Sequence, residues 1–261
     1  MKKIAGIRTK TTIYILTPVI ISFIVVGLVL FFSLFNSQQK FATLQFQNIA
    51  SKYAANFEKK INVALDYLST VANVLEFQIH ESDVDREALQ RMMYYVFDGH
   101  TVNSSSIYFE PDAYDGKDAQ YINTMFGTSL SGRISYYFYR YNGRTGYRHE
   151  ALENDIEFTL PFYTETKKTG APVYSEPVIL NIDGEDILMF IITYPIFRNN
   201  EFIGVITADI FLEEIYAELQ AEKIFETGYV IIANDKQNLI YSPRFEDIGM
   251  TREQAGFSYS L

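Results

Sequence analysis

From Ile13 to Phe35 the chain reads IYILTPVIISFIVVGLVLFFSLF without one charged residue, and this stretch constrains everything that follows it. At about 1.5 Å of rise per residue it makes a helix of about 34 Å, enough to cross a hydrocarbon core of about 30 Å. A cleaved secretory signal would have an apolar core of only about 7–15 residues and a small-residue cleavage site. The longer run, with no such site, predicts an uncleaved transmembrane helix over 13–35. Residues 1–12 carry Lys2, Lys3, Arg8 and Lys10 and no acid. By the positive-inside bias this N-terminus stays cytoplasmic, and the chain after Asn36 crosses the inner membrane to the periplasmic or extracellular side. Pro18 lies in the first turns of the span, where a missing N–H costs least.

The exported remainder is acidic. The whole chain has 22 Lys and Arg against 32 Asp and Glu, a net charge of -10; without the four N-terminal cations the balance is 18 against 32, or -14. Nucleic-acid binding needs clustered cations to neutralise phosphates and is not expected. With no cysteine there is no disulfide, no zinc-thiolate site and no thiol nucleophile. The three histidines, His80, His100 and His149, lack metal-ligand spacing. No phosphate-binding loop, nucleophile elbow or HExxH motif occurs, so neither an enzyme nor a cofactor is implied. The acidic runs Glu150–Glu157 and Glu213-Glu214 read as solvated faces.

Ile49, Tyr53, Phe57, Ile61, Leu65, Leu68, Ala72, Leu75 and Ile79 recur at three- and four-residue steps. They predict one long amphipathic helix over 37–81, a stalk or dimer seam able to carry motion to the membrane. A second helix over 82–98 is expected behind the capping residues Ser82 and Asp83, ending at Gly99. The period then changes to two, and strands are expected at 105–111, 133–140, 144–151, 173–180, 186–197 and 201–210. Asn142-Gly143, Asp183-Gly184 and Asn199-Asn200 are hairpin signals, so the sheet should be antiparallel, with the helices on one side. A helix over 211–225 and a new strand pair in TGYVIIAND and NLIYSP close the sequence. The expected class is α+β.

The ordered set GRISYYFYR, PFYTETKKTGAPVYSEP, PIFRNNEFIGVITADI and TGYVIIANDKQNLIYSP, behind a membrane anchor and a long helix, resembles the double Cache (dCache) sensor region of bacterial chemoreceptors and sensor histidine kinases. The resemblance covers about residues 37–250. It implies a membrane-distal, PAS-like module over 82–210, a connecting helix over 211–225, and the start of a membrane-proximal module over 226–261 that is incomplete here. It also implies extracytoplasmic sensing of a small organic solute, a homodimer through the long helix, and a cytoplasmic signalling output that this chain lacks. A different reading is an interaction module without a ligand, in which the sheet merely caps a helical dimer.

The resemblance further implies ligand contacts at Tyr137, Tyr139, Phe162, Tyr163, Tyr194 and Asp209. Phe162-Tyr163 match the family's Trp-Tyr pair. Asp209 matches the aspartate that accepts the ammonium of an amino acid, although its place before FLEEIYAEL also suits a helix cap. Strand alternation puts Tyr137 and Tyr139 on one face and Tyr136 and Phe138 on the other, and the family pattern favours Tyr137. Leu160 stands where amino-acid binders carry arginine and amine binders an acid, and Val178 stands where a tyrosine is expected. An α-amino acid would therefore leave its carboxylate poorly paired. A solute with an apolar or aromatic body and one cationic or hydroxyl group fits better.

Overall fold

The computed structural model describes residues 6–81, 85–99, 102–141, 143–149, 153–182, 184–221 and 229–257. Ser82, Asp83, His100, Asn142 and Asp183 lie outside them, as do the side chains of His80 and His149. The chain divides into two compact units, 1–57 and 58–261. Helix α1 is continuous from Ile7 to Glu81. In the first unit it contains the window long and apolar enough to cross a membrane, with the side chains between Ile13 and Phe35 exposed.

In the second unit Ala64, Tyr67, Leu68, Val71, Ala72 and Leu75 of α1 are buried. The stripe is thus turned slightly from the expected one, and Leu65 is only half-buried. Helix α2, Arg86–Asp98, begins later than the sequence suggests, because the side chain of Asp85 accepts from the Ala88 N–H and caps it. Seven strands form an antiparallel sheet: β1 Ser104–Phe109, β2 Ser135–Tyr141, β3 Arg144–His149, β4 Val173–Tyr174, β5 Val178–Ile182, β6 Glu185–Arg198 and β7 Glu201–Phe211. The order is β3-β2-β1-β7-β6-β4, with β5 also on β6.

The turn chemistry is as the sequence requires: Gly143, Gly184, Asn199 and Asn200 all have positive φ. The single strand expected over 173–180 is two, broken at Ser175-Glu176-Pro177, where proline has no N–H to give a ladder. Short helix α3, Asp118–Tyr121, lies in the long β1–β2 connection. Between β3 and β4 come a 3-10 helix, Glu153–Thr159, and α4, Pro161–Thr169. α4 was not expected from the polar composition of TETKKT. Pro161 starts it, and Gly170 ends it with φ 63°. Helix α5, Leu212–Ala221, follows β7, and the second strand pair is β8 Ile232–Ala233 with β9 Leu239–Tyr241.

The helices are not confined to one side. α1 and α2 cover one face of the sheet, where the Tyr67 hydroxyl donates to Ser105 Oγ at 3.0 Å and the Phe97 ring lies 6.3 Å from Phe138. Burial raises the Tyr67 hydroxyl to about pKa 12, so it stays a donor. α4 packs on β6 and β7 from the other side. Between β1 and β7 the backbones approach closely at Gly204, where a Cβ would stand 2.2 Å from the Tyr108 carbonyl oxygen. Gly204→Ala is expected to lower unfolding stability by about 1–3 kcal/mol, read by denaturant titration, because the obstacle is backbone and cannot rotate away.

Candidate functional site

Alternation along three neighbouring strands assembles one side of a cavity. Ser104, Ser106 and Tyr108 of β1, Tyr137 and Tyr139 of β2, and Val205, Thr207 and Asp209 of β7 all face away from α1. The 3-10 helix and α4 close over them, and β4 and β5 form a side wall. The cavity, open to solvent on one side, is about 470 Å³, within the usual about 300–1,000 Å³ of small-molecule sites.

Three of the six expected site residues line it: Tyr137, Phe162 and Asp209. Asp209 is not a helix cap. It sits inside β7, 2% exposed, and Ser104 Oγ donates to its Oδ2 at 2.5 Å. Tyr139 shares the cavity face but stacks on Tyr137 at 5.8 Å, against Gly146 and outside the lining. Tyr194 pairs with Ile206, whose register puts both on the opposite face of the sheet. Leu160 does line the cavity, so the position that lacks a charge by comparison with amino-acid binders is a wall position here.

Tyr163 lies outside the cavity lining, in a core with Tyr108, Phe158 and Val205 against which its neighbour Phe162 also packs. Its hydroxyl donates to Glu110 Oε1 at 2.5 Å and accepts from Arg133 Nη2 at 3.2 Å. Glu110 also holds Lys167 Nζ at 2.8 Å, and the Arg133 guanidinium lies 3.3 Å from the Phe158 ring centroid. Burial, then the hydrogen bond to Glu110, push the Tyr163 hydroxyl pKa up. Burial alone would raise the Glu110 carboxyl, but the bonds from Lys167 and Tyr163 outweigh it and the net shift is down. Tyr163 therefore bolts α4 to the end of β1 and sets where Phe162 stands.

The residue that sequence reasoning missed is Glu157. It belongs to a run read as a solvated face, yet it is 1% exposed and lines the cavity. The 3-10 helix turns it inward, and composition alone carries no signal for that turn. With Glu165, Glu176 and Asp209 it makes four carboxylates around a largely apolar wall. Among the described lining residues Lys236 is the one cation. It comes from the β8–β9 turn, whose Asn234 and Asn238 amides donate to Glu176 at 3.1–3.3 Å. No group of three or more His, Asp or Glu that could hold a metal ion occurs among the described residues.

Comparison with known proteins agrees with this architecture. The model of the methyl-accepting chemotaxis protein-like first PDC sensor domain matches residues 89–217. The methyl-accepting chemotaxis protein TlpQ of Pseudomonas aeruginosa is 26% identical over 121 residues, which span 42% of this chain and only 17% of that receptor. The extracellular domain of the histidine kinase mmHK1S-Z3 is 28% identical, with a TM-score of 0.66 over 81% of this chain and 74% of that domain. The periplasmic sensory domain of the Campylobacter jejuni chemoreceptor Tlp1, 16% identical, shares the fold with a TM-score of 0.61, over 79% of this chain and 77% of that one. Residues 89–217 thus match a chemoreceptor-like PDC sensor domain in sequence, and the fold is that of chemoreceptor and histidine kinase extracellular sensor domains, consistent with a Cache-type sensor.

Proposed function

We propose that this chain senses a small organic cation, an amine with an apolar or aromatic body, outside the cytoplasmic membrane, and that it serves a chemotaxis or two-component output. The observation that carries the reading is the charge balance of the cavity: Asp209 and Glu157 are almost fully buried, and four carboxylates face one lysine. A carboxylate in a partly dry site favours a charged donor, because the hydrogen bond is charge-assisted and desolvation is offset. Tyr108, Tyr137 and Phe162 provide ring faces for the body of the solute and for its ammonium. A free α-amino acid fits less well, since Leu160 offers its carboxylate nothing and the four lining carboxylates outnumber the single cation, Lys236.

Residues 64–75 of α1 belong to the core of the sensor unit, and the same helix carries the apolar span. A ligand with ~1–3 kcal/mol of differential affinity for two arrangements of that core is sufficient for signalling. The full chain in nanodiscs should show a rise in melting temperature with arylalkylamines such as 2-phenylethylamine or tyramine. At 100 times its dissociation constant such a ligand adds roughly 2.7 kcal/mol. Uncharged isosteres such as benzyl alcohol should add far less. A response to no amine, or an equal response to the neutral compounds, refutes the reading, and the former favours the dimer-capping alternative.

A further inference from the structure

The cavity beneath α4 is completed by a part of the chain that belongs to the second sheet. The turn between β8 and β9 sets Lys236 on the cavity wall and places Asn234 and Asn238 against Glu176, which lines the same cavity from the break between β4 and β5. Asn234 Nδ2 donates to the two Glu176 oxygens at 3.2 and 3.1 Å, and Asn238 Nδ2 donates to Oε1 at 3.3 Å. Glu176 is thus both a wall of the cavity and the anchor of the turn, and it is exposed, so a solute can reach it.

The turn is built to move as one piece. The Asn234 N–H donates to the Asn238 carbonyl at 2.9 Å, the Asn238 N–H donates to Asn234 Oδ1 at 2.9 Å, and Gln237 takes a φ of 67°. Its strands are held to α5, where the Tyr216 hydroxyl donates to the Ile240 carbonyl at 2.6 Å and the Tyr216 and Tyr241 rings lie 4.7 Å apart. A displacement of the turn is therefore a displacement of a packed element, the kind that carries coupling between sites. At Glu176 two kinds of donor compete. In the free protein its carboxylate takes neutral amides, whereas an ammonium in the cavity offers the same oxygens a stronger, charge-assisted bond. That ammonium also stands against Lys236, a like charge on the same wall. Both effects push the turn outward.

We propose that the β8–β9 turn is a clasp on the cavity, and that a cationic solute opens it by drawing Glu176 from Asn234 and Asn238 and displacing Lys236. Occupancy of the first sheet then reaches the second as the movement of one turn. The displacement rests on the amine reading above; the clasp itself does not. The chain has no cysteine, so Lys168→Cys on α4 and Asp235→Cys in the turn, both exposed positions, give one spin-label pair in the full chain in lipid nanodiscs. Pulsed dipolar EPR reads their separation. Asn234→Asp keeps the oxygen that accepts from Asn238 and turns the donor to Glu176 into a second carboxylate. Without ligand it should lengthen and broaden the separation. Saturating 2-phenylethylamine should bring the unsubstituted clasp to that same distribution and leave Asn234→Asp where it is. Lys236→Met, titrated by calorimetry without labels, should bind the amine about three- to tenfold more tightly, since the resident cation no longer opposes it. An unchanged ligand-free separation in Asn234→Asp would show that the clasp does not hold the turn. A turn that stays in place while the amine raises the melting temperature, or equal or weaker binding in Lys236→Met, would overturn the displacement and leave the amine reading standing. If no amine raises the melting temperature, the amine reading fails and the displacement with it, and the Asn234→Asp comparison still decides the clasp.

Discussion

Replacing Arg86 with methionine is expected to cost the sensor unit about 3–5 kcal/mol, the largest loss from any single substitution considered, measured by denaturant unfolding against wild type. The side chain is fully buried. Its Nε and Nη2 donate to the two oxygens of Asp115 at 2.9 and 2.8 Å, Nη2 also reaches Asp118 at 2.5 Å, and Nη1 holds the Gly132 and Phe126 carbonyls at 2.5 and 3.2 Å. The guanidinium lies 4.2 Å from the Tyr121 ring centroid. One cation therefore ties the start of α2 to both ends of the β1–β2 connection, and its removal strands two carboxylates that are 8% and 10% exposed. Arg86→Lys should recover only part of the loss, because an ammonium has three donors and no planar fork.

The same cluster sets a pH signature. Burial would raise the Asp115 carboxyl, but the hydrogen bonds from Arg86 prevail and hold it below its ordinary value of 3.8. A carboxyl depressed in the folded state contributes stability above its unfolded pKa, and that contribution is lost as pH falls through the folded value. Wild type should therefore lose stability on acidification below about pH 4, and Arg86→Met should show a flatter acid limb while being weaker at neutral pH.

The physical origin of each element decides how much of it can be read in the sequence. The apolar run, the long helix and the hairpins are local: hydrophobic run length, periodicity and residues that accept positive φ settle them without reference to the rest of the chain. The strand break at Pro177 and the helix α4 are less so. TETKKT has helix-compatible residues but no apolar stripe long enough to register, and Pro161 and Gly170 bracket it only once the helix is known. The alternation that separates Tyr137 from Tyr136 is local too, which is why the face assignment of Tyr137 agrees with the structure.

Site residues brought together by tertiary packing were legible only where strand register carried them. Asp209 and Ser104 meet across 105 residues because β1 and β7 are neighbours, and nothing in the sequence fixes that pairing distance. The resemblance gives Tyr163 a cavity role with Phe162, yet one step of about 100° further round α4 its ring enters the core beside Phe158 and its hydroxyl is held by Glu110 and Arg133, contacts that only tertiary packing supplies. Glu157 was hidden for the opposite reason: an acidic run suggests solvent, and only the closure of the 3-10 helix over the sheet makes one of its carboxylates internal.

Asp209→Asn is expected to reduce amine affinity by about 10- to 100-fold while leaving the unliganded melting temperature unchanged or higher, a pairing of effects that loss of fold cannot produce. Asparagine keeps the shape and an acceptor for the Ser104 hydroxyl, which lies 2.5 Å from Oδ2. It removes the charge that makes an ammonium contact worth about 1.5–3 kcal/mol rather than about 1. It also removes an ionised group that is 2% exposed, whose desolvation weighs against the free protein. Calorimetric titration of the full chain with the best arylalkylamine gives the affinity, and thermal unfolding of the same samples gives the stability. Equal affinity in wild type and variant would move the counter-ion to Glu157, the other nearly inaccessible carboxylate of the cavity, and Glu157→Gln would then take the larger loss. If neither variant changed the affinity, the acidic lining would not be what holds the ligand, and the amine reading would fail on its own terms, whatever the fold.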